Sequence, residues 1–207
     1  QKIFFREDNY LFFLKKMRHH LLPYADIMAW CLMPNHFHWM IYVREVEACY
    51  KSGDAYTSGG ATLSRTPTNT SGGATSSRTP TSGEEEKIIG LNHSIGILLA
   101  SYTRAIQKQE GTSGSLFRDK TKAECVTKFD GITPSFYNSN HGTYINIPNP
   151  EKEYPQICFW YIHDNPVKAK LVSKVDDWEF SSYRDICGLR NGKLINKERI
   201  KEFGLHL

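Results

Sequence analysis

An α+β fold follows from three observations along this 207-residue chain. Apolar residues recur with helical spacing over 8–23, two β-rich runs flank a Pro-Asn turn over 27–43, and a second helical stripe covers 87–108. In the first segment Tyr10, Leu11, Phe13, Leu14, Met17 and Leu21 share one side of a helix, with Asp8 or Asn9 as the N-cap. The run ADIMAWCLMPNHFHWMIYV then predicts a hairpin: strand 27–33, a turn at Pro34-Asn35, and strand 36–43. In the third segment Ile88, Ile89, Leu91, Ile95, Leu98, Leu99, Tyr102 and Ile106 line one helical face, and the glycines of 111–114 end it. Segment 116–129 reads as an extended piece, and 153–163 as a helix that stops near Asn165-Pro166, because Pro166 biases Asn165 away from the helical region. Trp178, Phe180 and Tyr183 are the packing residues expected of the tail.

Composition narrows the class. Hydrophobic residues make up 40% and charged residues 23%, enough for a core. No apolar run reaches the ~18 residues of a membrane helix, and charges interrupt the opening QKIFFRED where a signal peptide needs an apolar stretch. Five scattered cysteines without a C-x-x-C argue against a disulfide scaffold or a zinc ribbon, and a reducing, cytoplasmic setting is the simplest reading. The net charge of +4 is spread along the chain and by itself assigns no polyanionic partner.

One segment stands apart. Of the 27 residues at 57–83, 21 are Ser, Thr, Gly or Pro, and the segment holds a tandem repeat, SGGATLSRTPTNT then SGGATSSRTPTSG. Two polar copies build no solenoid, so 57–83 is expected to be a disordered insertion. A second irregular loop, rich in Asn, Gly and Pro, is expected over 130–151. The remainder, 1–50 and 84–190, forms one domain, and 191–207 a C-terminal tail.

The sharpest chemical signal is His36-Phe37-His38. Residues i and i+2 of a strand share a face, so the two imidazoles project together while Phe37 and Trp39 take the apolar face. Two neutral imidazoles are a natural ligand pair for a divalent metal, although strand histidines also occur simply as core or surface residues. Tyr102, on spacing alone, belongs to the buried stripe of its helix. Chemically it also offers a phenolic nucleophile, which needs a metal to polarise a phosphodiester because a free phenol is poorly ionised at neutral pH.

The strings LMPNHFHWMI, SYTRAIQKQEGTSGSLFRD, YIHDNPVKAKLV and DWEFSSYRD occur in that order. Together they resemble the REP-associated tyrosine transposases, the single-tyrosine branch of the HUH endonucleases and part of the IS200-like transposase family. The resemblance spans about 3–188 outside the two loops. It implies a ferredoxin-like antiparallel sheet with helices on one face, and a metal-dependent enzyme that nicks and joins single-stranded DNA next to REP-like hairpins. It maps the metal ligands to His36 and His38, the cation being Mg²⁺ or Mn²⁺, and the nucleophile to Tyr102. Attack leaves a 5′-phosphotyrosine and a free 3′-OH.

Two features depart from the family. Its members usually carry a Gln or Asn one turn after the tyrosine as third metal ligand, but position +4 here is Ile106. Gln107, at +5, is the remaining candidate and is rotated roughly 140° from Tyr102 on an ideal helix. The family's first strand also has no counterpart before the first helix, which predicts an unpaired sheet edge near the hairpin. Arg104, Lys108, Arg118, Lys120 and Lys122 are the expected phosphate contacts, with a solvated face as the alternative. His163, Asn165 and Lys168 match the family's tail string, with Asn165-Pro166 read as a structural turn first and a DNA contact second. The expected partner is hairpin-bearing single-stranded DNA, handled by a monomer or homodimer away from any membrane. The competing function is a non-catalytic hairpin-binding relative. An unrelated metallohydrolase ranks last, because no further ligand cluster accompanies H-x-H.

Overall fold

A computed structural model describes residues 1–50, 87–117, 123–127, 137–139, 142–144 and 150–207. The expected insertion at 57–83 lies outside the described residues. The architecture is mixed α+β. Helix α1 (Glu7–Leu21) leads into strand β1 (Ala25–Met33), which pairs antiparallel with β2 (His36–Val43). Asn9 does not cap α1 from outside. It sits in the first turn, where its Oδ1 accepts the backbone N–H groups of Phe5 and Arg6 at 3.0 Å.

Both faces of the hairpin are apolar at β1, and that decides the layering. Ala25, Ile27, Trp30 and Leu32 pack with Phe37 and Trp39 against Phe13 and Met17 of α1 and Leu98, Tyr102 and Ile106 of α2 (Leu91–Glu110). Met28, Ala29, Cys31, Met33 and Met40 take the other face, against Phe159 and Ile162 of α3 (Pro150–Lys168) and Ile200 of α5 (Lys197–Glu202). A register shift between Ile27 and Ala29 places Met28 and Ala29 in the same cluster. Helices therefore cover both faces, where one covered face was expected.

The sheet itself is small. Among the described residues β2 has no second neighbour, while the far edge of β1 is bonded by the tail. Leu32 N–H donates to Phe180 O and Ser182 N–H to Trp30 O, both at 2.9 Å, and Asn196 N–H donates to Ile27 O at 2.8 Å. The C-terminal segment 191–207, set apart as a tail in the sequence, also contributes to the core, with Ile200 and Leu205 buried.

Three further elements differ from expectation. Residues Lys87–Gly90 form strand β4, paired with β3 (Glu47–Tyr50), so the two strands bracket the repeat segment and α2 begins only at Leu91. Their Ile88-Ile89 pair fits a helical stripe and a strand equally well. Tyr137–Ser139 and Gly142–Tyr144 (β5 and β6) make a short hairpin inside the expected loop. Helix α3 runs through Pro166 to Lys168 instead of stopping at Asn165. Proline has no N–H to give the ladder, and the bonding resumes at once with Ala169 N–H to Asn165 O at 2.8 Å. No strand forms within 115–117 or 123–127. A four-residue α4 (Tyr183–Ile186) precedes α5.

α1 and α2 are joined by a polar contact with a pH consequence. Buried His20 holds its Nδ1 3.2 Å from Ser94 Oγ, and that hydroxyl donates to His20 O at 3.0 Å. Burial, then the neighbouring His19 and Lys16, push the imidazole down to about 4. An unfolded histidine titrates near 6.5, so below that the unfolded chain takes up a proton the folded chain refuses. Stability present above pH ~6.5 is lost progressively as pH falls towards about 4. Urea melts near neutrality and near pH ~4.5 should show the loss, and His20→Gln should reduce it. An unchanged pH slope in the variant would contradict the assignment.

Candidate active site

The strand period places His36 and His38 together on the α3 face of β2. Their rings stand edge to face with centroids 4.8 Å apart. In register they lie opposite Met33 and Cys31 of β1. His36 is exposed, and its Nδ1–H donates to Asn35 Oδ1 at 2.6 Å, which leaves Nε2 as the free lone pair. His38 is half-buried, and its Nε2 is enclosed without a hydrogen-bond partner among the described residues. Burial, and for His38 also the adjacent His36, pushes both imidazoles below their ordinary range, His38 to about 4. Both are therefore neutral at physiological pH, the form that ligates a metal. An enclosed, unpartnered ring nitrogen beside a second oriented imidazole fits a divalent cation. No cluster of three or more His, Cys, Asp or Glu suited to a metal occurs among the described residues.

Tyr102 is not at this site. It is fully buried in the cluster on the opposite face of the hairpin, between Phe4, Phe12 and Phe13, and its hydroxyl donates to Ile3 O at 2.8 Å. Burial, reinforced by Tyr10, drives its phenol far above the ordinary range. The expected convergence of Tyr102 with the histidines is not met, because the hydrophobic stripe of α2 turns that side chain into the α1 interface. Gln107 follows its helix: its carboxamide nitrogen donates to Gly114 O, bracing the turn after α2, the helix that packs on the face of the hairpin opposite the histidines. Arg104 and Lys108 are exposed on α2, and Arg118, Lys120 and Lys122 lie outside the described residues.

What the histidines do meet is Tyr161 of α3. Its ring stands edge to face with His38, centroids 5.4 Å apart, and 44% of the residue is exposed. Lys168 Nζ lies over the same ring at 5.4 Å from its centroid and within 3.9 Å of Asp164 Oδ2. One turn along the same face, Asn165 is nearly buried, and its Nδ2 donates to Tyr161 O at 2.6 Å. Its Oδ1 carries no hydrogen bond among the described residues. Sequence reasoning misses Tyr161, and takes Asn165 for a turn residue first, for a definable reason. The tyrosine–carboxamide spacing of +4 is absent at Tyr102 but present at Tyr161–Asn165, inside a string that Pro166 makes look like a turn.

α3 is held in place from behind. Buried His163 has Nδ1 2.8 Å from Phe159 O and Nε2 2.8 Å from Ser182 Oγ, and Ser182 Oγ accepts Trp30 N–H at 2.9 Å. The helix carrying Tyr161 is thereby tied to the strand that pairs with the histidine strand.

Among the described residues no helix is long and apolar enough to cross a membrane. No family model, curated protein or solved structure matches this chain.

Proposed function

We propose that the protein is a transposase-like enzyme that nicks and joins single-stranded DNA next to hairpins through a 5′-phosphotyrosine intermediate. The nucleophile in this reading is Tyr161. The observation that carries it is the exposed Tyr161 phenol beside the His36–His38 pair, on the face of the hairpin that α3 covers. His36 and His38, with the Asn165 carboxamide oxygen as third donor, are the residues that would hold Mg²⁺ or Mn²⁺. When bound, the cation would polarise the scissile phosphate.

The chain's own residues do the rest. α3 fixes Tyr161 at the mouth of the site through Phe159, Ile162 and the His163–Ser182 bond. The Tyr161 oxygen attacks phosphorus, the P–O3′ bond breaks, and the phenolic proton ends on the leaving 3′ oxygen. The products are a tyrosine-linked 5′ phosphate and a free 3′-OH. Joining runs the same exchange backwards, so the phosphodiester energy is conserved. The ammonium of Lys168 lies over the Tyr161 ring, and in this reading it would offer a positive charge to a phosphate held beside that phenol. In this reading the β1–β2 hairpin is part of a ferredoxin-like sheet, and the tail segments bond along its β1 edge. The DNA is handled in the cytoplasm by a monomer or homodimer.

Incubation of the full chain with end-labelled hairpin DNA and Mn²⁺, followed by a denaturing gel, tests the reading. A protein-linked band that disappears in His36→Ala/His38→Ala is expected. A native-gel shift with no covalent band would instead make the protein a non-catalytic hairpin binder.

A further inference from the structure

The face opposite the histidines has its own charge pattern. α1 and α2 run antiparallel: Asn9 Nδ2 donates to Gln109 Oε1 at 3.0 Å, and His20 meets Ser94. The acidic residues of the pair gather at one end, with Glu7 and Asp8 opening α1 and Glu110 closing α2, 3.4 Å from Arg6. The other stretch is cationic. Lys15, Arg18 and His19 line a shallow concavity with Leu22 and Pro23, and the charges of Arg104 on α2 and of Lys15 both act on Lys16, the next residue of α1. Lys15, Lys16, Arg18 and Arg104 have no carboxylate within ion-pair distance among the described residues, which they share with scattered surface lysines such as Lys174, Lys197 and Lys201; what sets them apart is that they gather on one helix pair.

This clustering works against folding. The Lys16 ammonium, stacked 4.8 Å over the Phe12 ring, is pushed below its ordinary range, first by burial and then by Arg104 and Lys15. Helix-dipole preference accounts for the basic last turn of α1, but not for Lys15 and Lys16 or for Arg104, which precedes the last turn of α2. Unneutralised like charges on one face are the footprint of a polyanion site. On α1 the cations recur one turn apart, about 5–6 Å, a scale that suits successive phosphates of one strand. An anionic membrane would call for an apolar band beside them, and the α1 surface offers only Leu11 as a strongly exposed apolar residue.

We infer that the α1–α2 face around Lys15, Lys16, Arg18 and Arg104 is a second nucleic-acid surface, which grips the sugar–phosphate backbone of a DNA stem while the unpaired strand reaches the His36–His38–Tyr161 site on the opposite face. The inference shares the DNA substrate with the proposed function, so its test leaves catalysis out. Binding of a fluorescein-labelled DNA stem-loop is measured against salt concentration in the Tyr161→Phe chain without divalent metal. In that background Lys15→Gln/Arg18→Gln/Arg104→Gln should weaken binding by more than about tenfold near 0.1 M salt. The slope of log K against log salt should fall by roughly 2–3, about 0.9 for each phosphate no longer neutralised. Removing the same charge at exposed Lys174, Lys197 and Lys201 should leave the slope nearly unchanged. An unchanged salt slope in the α1–α2 variant overturns the inference, as does a loss confined to binding of phosphatidylserine vesicles. Neither result touches the assignment of Tyr161.

Discussion

Tyr161→Phe abolishes the covalent protein–DNA adduct, while Tyr102→Phe leaves it at a normal yield. This is the largest effect expected, because removing a nucleophile removes the whole covalent route. Tyr161→Phe deletes one half-exposed hydroxyl, so stability should stay within about 0.5 kcal/mol of the parent. Tyr102→Phe behaves in the opposite way. It deletes a fully buried donor and strands Ile3 O, at a cost of about 1–3 kcal/mol, with no effect on chemistry at a site across the sheet. Paired measurements of melting and adduct yield therefore separate the two tyrosines. A normal adduct in Tyr161→Phe, or a lost one in a well-folded Tyr102→Phe, would return the nucleophile to α2.

The second large effect is structural. Asp185 is buried to 1% exposure and accepts both arms of Arg190, Nε at 2.6 Å and Nη2 at 2.8 Å, together with Gly192 N–H at 3.1 Å. Arg190 also donates to Glu179 O and Ser181 O, both at 2.7 Å, and its guanidinium lies 5.6 Å over the Trp30 ring. One carboxylate thus fastens the chain turn that lays 180–182 along β1. Asp185→Ala leaves the guanidinium without its counter-charge. Removing one partner of a buried pair costs about 3–5 kcal/mol, and the part exposure of Arg190 puts this case near the lower end. For a chain of this size the melting temperature should fall by roughly 6–12 °C. Gly192→Ala attacks the same clamp, because a Cβ there would stand 2.5 Å from Asp185 Oδ1. Ser182 also holds His163 of α3, so adduct yield should fall with stability in both variants. A loss under about 1 kcal/mol in Asp185→Ala would mean that the tail segment is held by its backbone bonds alone.

The elements written in local periodicity were legible. The stripe of Phe13, Met17 and Leu21, the Pro34-Asn35 turn and the stripe of Leu98, Tyr102 and Ile106 all emerge where spacing puts them. The projection of His36 and His38 to one side, and of Phe37 and Trp39 to the other, follows from the two-residue period of a strand. Periodicity does not say which helix covers which face. From Ile27 to Met33 β1 is buried on both sides, so its sequence there is apolar residue after residue and does not distinguish the α2 face from the α3 face. That ambiguity is why Tyr102 could be paired with the histidines in sequence and is separated from them in space. Plain spacing places Tyr102 in a buried stripe, and it lies there. Pro166 hides the other half of the site, since a proline read as a helix stop removes Asn165 from the turn that follows Tyr161.

Mapping the covalent link tests the central assignment most directly. Adduct formed on hairpin DNA with Mn²⁺ is digested with nuclease and trypsin, and the peptides are sequenced by tandem mass spectrometry. The nucleotide remnant is expected on Tyr161, within the tryptic peptide 153–168, where fragmentation separates it from Tyr154. A remnant on Tyr102, within peptide 88–104, would contradict the assignment of the site to the α3 face.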